Sequence, residues 1–272
     1  MTTSRFTTAS VQKVIAIASG KGGVGKSTVA VNLAIALQKA SKKVGILDAD
    51  IYGPSIPHLL GLDEVKATIE NKKIIPIEAY HLNVMSIGFL MDKKMPAIWR
   101  GPMASMALQQ LFRDTAWEAL DYLIVDLPPG TGDIHLTLAQ KLPLTSAIVV
   151  TTPQQIALAD VRKAIEMFQK VNVPILGLLE NMSIYQCEHC HHETHLFGKG
   201  GAQQLSQDYN IPLLGTLPFS TQIMQQSETG IPLLIENPTH KTSQHYYDIA
   251  LQVLKLNKAP VRRKFPSIIV EP

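Results

Sequence analysis

Cysteine is scarce in this chain: two thiols among 272 residues, both in one C-x-x-C. That scarcity excludes a disulfide scaffold. In a reducing compartment the spacing points to metal or redox chemistry instead. Charge imbalance is small too. A formal net charge of +3 is too little for a nucleic-acid footprint, and the basic run Arg262-Arg263-Lys264 is short enough to read as solvated tail. No apolar run approaches the roughly 20 residues that span a bilayer. Met1–Ser10 lacks the apolar core of a secretory signal. A soluble, cytoplasmic protein without membrane or stable nucleic-acid partners is therefore expected. Internal repeats, low-complexity tracts and long polar linkers are missing as well. With 46% apolar residues, the expectation is one domain over residues 11–257, between a tail at 1–10 and a tail at 258–272.

What the chain does have begins at Ser19-Gly20-Lys21-Gly22-Gly23-Val24-Gly25-Lys26-Ser27-Thr28. This is a phosphate-binding loop, G-x-x-x-x-G-K-[ST], with an additional lysine near its start. Its glycines let backbone N–H groups curl inward toward phosphate oxygens. Lys26 can reach the β- and γ-phosphates of ATP, and the Ser27 hydroxyl can ligate Mg²⁺. A random chain of this length matches the pattern roughly one time in a hundred. The context makes an accident rarer still. Lys13–Ala18 is a short apolar, β-branched run that reads as a buried strand, and Ser27–Lys39 reads as a helix. Ala30, Leu33, Ala34 and Leu37 share one stripe of it, while Val29, Val31, Ile35 and Ala36 make it apolar nearly all round. A glycine-rich turn that bound nothing would be weakened by Gly22, Gly23 and Gly25 without return.

Strand-like and helix-like segments alternate along the rest of the chain, which predicts an α/β fold with a doubly wound, mainly parallel sheet. Strands are expected at Lys43–Leu47, Tyr122–Val125, Ser146–Val150, Pro174–Leu179 and Leu213–Leu217. Helices are expected at Met103–Trp117, Ala157–Lys170 and Ser243–Leu256. Residues 51–60 read as a loop with one short helical turn. Residues 63–98 read as less regular, with a β-excursion around Lys72–Ile77 and Asn83–Ile87.

In such sheets, ligands sit at the carboxyl ends of the strands. Asp48 and Asp50 follow the second strand, and Asp126 ends the third, ahead of Leu127-Pro128-Pro129-Gly130-Thr131-Gly132-Asp133. An apolar strand that closes on an aspartate beside a phosphate loop is the Walker-B pattern, whose carboxylate orients water on Mg²⁺. Gly130 and Gly132 would let the loop respond to the γ-phosphate. Any one aspartate alone would read as a turn cap; the set, in a chain with this loop, reads as a site.

The cysteine segment is Cys187-Glu188-His189-Cys190-His191-His192-Glu193-Thr194-His195. Three chemistries fit its residue types: half of an iron–sulfur site, since a [4Fe–4S] cluster takes four thiolates; a Cys₂His₂ zinc site within one chain; and a redox pair, disfavoured because the pair does not open a helix after a strand.

The early lysine, Lys21 in Lys-Gly-Gly-Val-Gly-Lys-Ser, resembles that of the deviant Walker-A ATPases, which include MinD, ParA and the nitrogenase iron protein. Asp48-Ala49-Asp50-Ile51-Tyr52-Gly53-Pro54-Ser55-Ile56-Pro57 is similar to the switch I segment of the Mrp/ApbC iron–sulfur cluster carriers within that group. Trp99-Arg100-Gly101-Pro102-Met103, Asp126–Asp133, Glu180-Asn181-Met182-Ser183 and the position of Cys187 and Cys190 add to the resemblance, which covers roughly residues 11 to 257. It implies a homodimeric, slow ATPase that passes a labile [4Fe–4S] cluster, bridging two subunits, to apo iron–sulfur proteins alongside assembly factors. Lys21 would contact phosphate across the dimer, while Lys26 and Ser27 hold phosphate and Mg²⁺. Asp50 would position the attacking water, with Asp48 and Asp126 supporting the metal's water shell. Asn181 would read the adenine edge. Cys187 and Cys190 of each subunit would supply the four thiolates. Many bacterial members carry a small domain ahead of the phosphate loop, where this sequence has about ten residues before its first strand. A MinD/ParA-type positioning ATPase is the other class considered. Against it, Ala259–Pro272 holds three prolines and cannot form a membrane-binding amphipathic helix.

Overall fold

Val14 to Ala18 are buried one after another with no alternation, as a strand covered on both faces requires. The computed structural model describes residues 10–90 and 101–257. Trp99 and Arg100, the tail at 258–272 and all of the first tail but Ser10 lie outside the described residues. The apolar run belongs to β1 (Val11–Ser19), followed by α1 (Lys26–Lys39), β2 (Val44–Asp48) and the one-turn α2 (Ile56–Leu59). Next come β3 (Ile69–Glu70) and β4 (Lys73–Ile74), which pair only with each other, then β5 (Ile77–Ala79) and β6 (Leu82–Ser86). The middle of the chain supplies α3 (Gly101–Asp114), β7 (Leu120–Asp126), α4 (Asp133–Lys141), β8 (Ser146–Thr151), α5 (Gln155–Lys170) and β9 (Ile175–Glu180). A hairpin of β10 (Tyr185–Gln186) and β11 (Glu193–Thr194) precedes α6 (Gly201–Tyr209) and β12 (Leu213–Thr216). The last elements are α7 (Thr221–Thr229), α8 (Leu233–Glu236) and α9 (Lys241–Leu256).

The main sheet runs in the order β12-β9-β8-β1-β7-β2-β6-β5. Every neighbouring pair is parallel except β5 with β6. Helices α1, α2, α7, α8 and α9 pack among themselves on one face, and α3, α4, α5 and α6 on the other. The doubly wound reading is therefore correct. The β-excursion expected around Asn83–Ile87 is β6, a parallel strand of the main sheet beside β2. Its Leu82, Val84 and Met85 are buried, and only the antiparallel β5 outside it behaves as an edge excursion.

α1 is buried on almost every side: Val29 through Leu37 are all buried, including Asn32. Such a helix gains its stability from packing rather than from amphipathic patterning, with about 1.5–3 kcal/mol for each fully buried large aliphatic side chain. Its N-terminus is thereby locked at the end of β1, at the centre of the sheet. The parallel register also sets Asp126 of β7 level with Ile17 of β1 and with Asp48 of β2. The strand ends converge on one edge, where the site lies.

Candidate functional site

Between β1 and α1 the chain turns through Gly20–Gly25. Gly25 caps α1 in the left-handed region, at φ 81°, and provides no side-chain cap; the first turn of the helix contains no acidic residue. The leading N–H groups of a long helix are thus left for an external anion, with the positive end of the helix dipole behind them. A Cβ at Gly25 would also lie 2.3 Å from Asn181 Nδ2, so the position excludes a side chain on both grounds. Gly20 is needed for a different reason: a Cβ there would sit 2.5 Å from the Asp160 carbonyl carbon of α5.

Lys26 and Asp126 form a buried ion pair, Nζ to Oδ1 at 2.6 Å, and Lys26 Nζ also donates to Ser27 Oγ at 3.3 Å. Burial raises the Asp126 carboxyl pKa, opposed by the Lys26 ammonium and the Ser27 hydroxyl. Asp48 has no exposed surface. Its carboxylate accepts from Asp50 N–H at 3.1 Å, Ile56 N–H at 3.2 Å and the Ser86 hydroxyl at 3.1 Å. Burial, and then the charge of Asp126, push the Asp48 pKa up to about 8. Asp50 is also buried, and burial raises its pKa against the pull of Lys26 and the Gly53 and Tyr52 N–H groups.

Two buried carboxylate oxygens here, Asp50 Oδ1 and Asp126 Oδ2, have no hydrogen-bond partner. Orphaned anionic acceptors are costly inside a protein, and this donor set is all oxygen: two carboxylates with the Ser27 hydroxyl close by. Such a set fits Mg²⁺, which favours oxygen ligands and keeps much of its water.

Lys21, the early lysine, donates from Nζ to Gln154 Oε1 at 2.9 Å, at the cap of α5. Asn181 follows β9, and its Nδ2 donates to the Val24 carbonyl at 2.9 Å, tying β9 to the phosphate loop. With Gly25, Thr28, Met182 and Phe219 it lines a cavity of about 210 Å³ next to the loop. A larger hollow of about 690 Å³ opens on the carboxylate side, between Asp50 and the Pro128–Asp133 loop. The expected residues from Gly20 to Thr28, with Asp48, Asp50, Asp126 and Asn181, are thus gathered at one edge of the sheet. Ser86, Gln154 and His135 join them without having been singled out in the sequence. The strand-like spacing of Leu82-Asn83-Val84-Met85-Ser86 was the available signal for Ser86; no local pattern marks the other two.

Cys187 and Cys190 lie elsewhere, in the turn of the β10–β11 hairpin, and both are free thiols. Cys187 N–H donates to the His192 carbonyl at 3.0 Å, and His191 N–H to the Cys187 carbonyl at 2.9 Å. The backbone N–H groups of Cys190 and then His189 lower the Cys187 thiol pKa, so this turn favours a thiolate. His195 is tethered through Nδ1 to the Ser183 carbonyl at 2.9 Å. Among the described residues no three of His, Cys, Asp and Glu converge as a metal-binding group. The hairpin overhangs a cavity of about 300 Å³ lined by Cys187, His191 and His245. Pro218, Phe219 and Ser220 wall both this cavity and the one beside Asn181. Phe219 is braced there by Tyr185 and Phe197, edge to face at 6.2 and 6.3 Å, and by its N–H to the Ile184 carbonyl at 2.7 Å.

None of the helices among the described residues is long and apolar enough to cross a membrane. The family described as NUBPL iron-transfer P-loop NTPase matches residues 10–254. The iron-sulfur cluster carrier protein of Haemophilus influenzae is 52% identical over 244 residues, which are 89% of this chain and 66% of that protein. The iron-sulfur cluster transfer protein NUBPL of Mus musculus is 46% identical over 251 residues, 92% of this chain and 79% of that one. A nucleotide-binding protein from Archaeoglobus fulgidus, solved in complex with ADP, superposes with a TM-score of 0.76 at 38% identity, covering 88% of this chain and 93% of its own. The cell division ATPase MinD of Pyrococcus furiosus shares the fold, at a TM-score of 0.67 and 23% identity over 90% of this chain and 99% of its own. The chain spans just under two thirds of the length of the Haemophilus relative. A phosphate loop with two lysines, carboxylates at the ends of β2 and β7 and a cysteine hairpin beyond β9 agree with these likenesses, and the chain belongs to the Mrp/ApbC-like iron–sulfur cluster carrier family of P-loop NTPases.

Proposed function

We propose that this chain works as a homodimeric ATPase that holds a labile [4Fe–4S] cluster between two subunits and hands it to apo-proteins. The cysteine hairpin carries the reading. It presents two free thiols, one favoured as thiolate by backbone N–H groups, and gathers no further ligands from the described residues of its own chain. Two such hairpins facing each other across a twofold axis supply the four thiolates a cluster requires. A single-chain zinc site would need two histidines to close on the pair, and no such group forms among the described residues.

The nucleotide part follows from the phosphate loop. The N–H groups ahead of α1 and the Lys26 ammonium bind the phosphates, as the ADP complex of the Archaeoglobus relative supports. Bound Mg²⁺ would supply charge neutralisation at the γ-phosphate. Ser27, Asp126 and Asp48 would hold its surroundings, and Asp50 would orient the attacking water through its free Oδ1. Lys26 exchanges its contact with Asp126 for phosphate oxygens. Lys21 leaves Gln154 to reach the partner's nucleotide. Asn181, held at Val24, offers the base its carbonyl oxygen and remaining amide hydrogen.

Anaerobic reconstitution tests the reading. Wild type should take up four iron and four sulfide per dimer, roughly as a cluster of this type requires, with a broad visible absorption band. The Cys187→Ala/Cys190→Ala variant should take up neither. Equal uptake by the variant, or one zinc per chain in place of iron, overturns the bridging cluster.

A further inference from the structure

We infer that His135 is a positioning residue for nucleotide turnover, acting through the Pro128 carbonyl on the loop that closes the carboxylate side of the phosphate cleft. The inference rests on the ATPase reading above and adds a residue that reading does not use.

The loop after β7 has few backbone ties. Pro128 and Pro129 have no N–H to give. Leu127 N–H reaches the Ile17 carbonyl at 3.0 Å, and Gly130 N–H the Ser19 carbonyl at 3.0 Å, both on β1. Between these two anchors the Pro128 carbonyl is met by His135 Nε2 at 2.5 Å. A carbonyl can only accept, so the proton sits on Nε2. His135 lies in the first turns of α4, which starts where the loop ends, and it is 4% exposed. Burying an imidazole is unfavourable unless its polar atoms are satisfied, and an apolar side chain would pack there without that penalty. Burial also lowers its pKa, against the pull of the Pro128 carbonyl, which favours the neutral ring.

The placement gives the contact its role. The 690 Å³ hollow has Asp50 on one wall and Pro128 to Asp133 on the other, and His135 contributes to its lining. Asp126 precedes the tied carbonyl by two residues and carries one of the two orphaned oxygens. α4 in turn packs on α3, so the ring links the loop to a packed pair of helices. Without this tie the two prolines would hang between the Leu127 and Gly130 anchors, and the loop would sample positions away from Asp50. Loss of position, rather than loss of affinity, is the expected lesion.

Gln and Met have similar length and volume but differ in the donor, so His135→Gln and His135→Met separate hydrogen bonding from packing. In steady-state assays of the full chain with Mg-ATP, H135M should lose about tenfold or more in kcat with KM for ATP within about threefold, and H135Q should recover most of the loss. Equal kcat for H135M and wild type, or an H135Q as slow as H135M in chains that melt alike, overturns the inference while leaving the ATPase reading intact. If neither ATP binding nor hydrolysis is found in wild type, the ATPase reading fails and takes this one with it. A second arm needs no variant. In histidine-¹⁵N spectra of wild type, the His135 Nε2 resonance should differ between Mg-ADP and a non-hydrolysable Mg-ATP analogue; an unchanged resonance counts against the role even if the variants fail to fold.

Discussion

Asp48 and Asp126 are neighbouring buried carboxylates that share a single buried lysine, and this sets how the site responds to pH. Asp48 has its pKa raised from 3.8 to about 8 by burial and by Asp126. The folded chain therefore binds this proton more tightly than the unfolded chain does. The stabilisation from the proton is complete below 3.8 and is lost as pH rises through about 8. Asp48→Asn stays neutral throughout, so in metal-free urea titrations the wild type should lose stability relative to D48N between about pH 5 and about pH 8.5. A constant difference between the two chains across that range would contradict the burial argument. Single residues are also where the sequence was least legible. Asp48 and Asp126 could be found because they end apolar strands, and Asp50 because it follows Asp48 by two residues. Ser86 had only the spacing of its strand to mark it, and Gln154 and His135 had nothing local, because each of the three acquires its role from a partner far along the chain or across a loop: Asp48, Lys21 and Pro128.

α1 shows how an element can be stable and yet leave its most reactive end bare. Its packed sides hold it in place, so the uncapped N-terminus need not stabilise the helix and is free to meet phosphate. Gly25→Ala tests that division. A left-handed alanine costs about 1–2 kcal/mol, and its Cβ would also strike Asn181 Nδ2. Equilibrium binding of a fluorescent ATP analogue should weaken by at least about tenfold, more than the loss of fold stability explains; unchanged affinity would mean the loop has another way to shape itself. Legibility among the elements follows burial. β1, β2, β7, β8 and β9, and the apolar α1, announce themselves because both faces or every side are covered. α7 is not legible in the sequence, because Gln226 is its one buried residue and no periodic apolar stripe is left to read. β6 reads as an excursion in the sequence because only short strand pieces precede it over residues 63–81, although its own pairing with β2 is regular over Val44–Asp48.

For the whole molecule the proposed activity needs two copies. Tyr52 between β2 and α2, Met103 and Met106 on α3, and Ile156 beside the Lys21–Gln154 contact are all exposed. Exposed large apolar side chains near a ligand site are what an association surface requires. In sedimentation with Mg-ATP, Asp50→Asn should run at twice the 29.9 kDa of one chain, because nucleotide stays uncleaved; adding Lys21→Ala should return it to the monomer. A double variant that still dimerises would remove Lys21 from the interface. The shared wall at Phe219 has its own consequence, for how this protein can be dissected. Pro218, Phe219 and Ser220 back the nucleotide-side cavity and the cysteine-side cavity at once. A lesion there cannot be credited to either activity alone, since the aromatic brace it loosens belongs to both. Phenotypes mapped to that wall have to be scored for nucleotide and for metal together, and separation-of-function alleles have to be sought outside it.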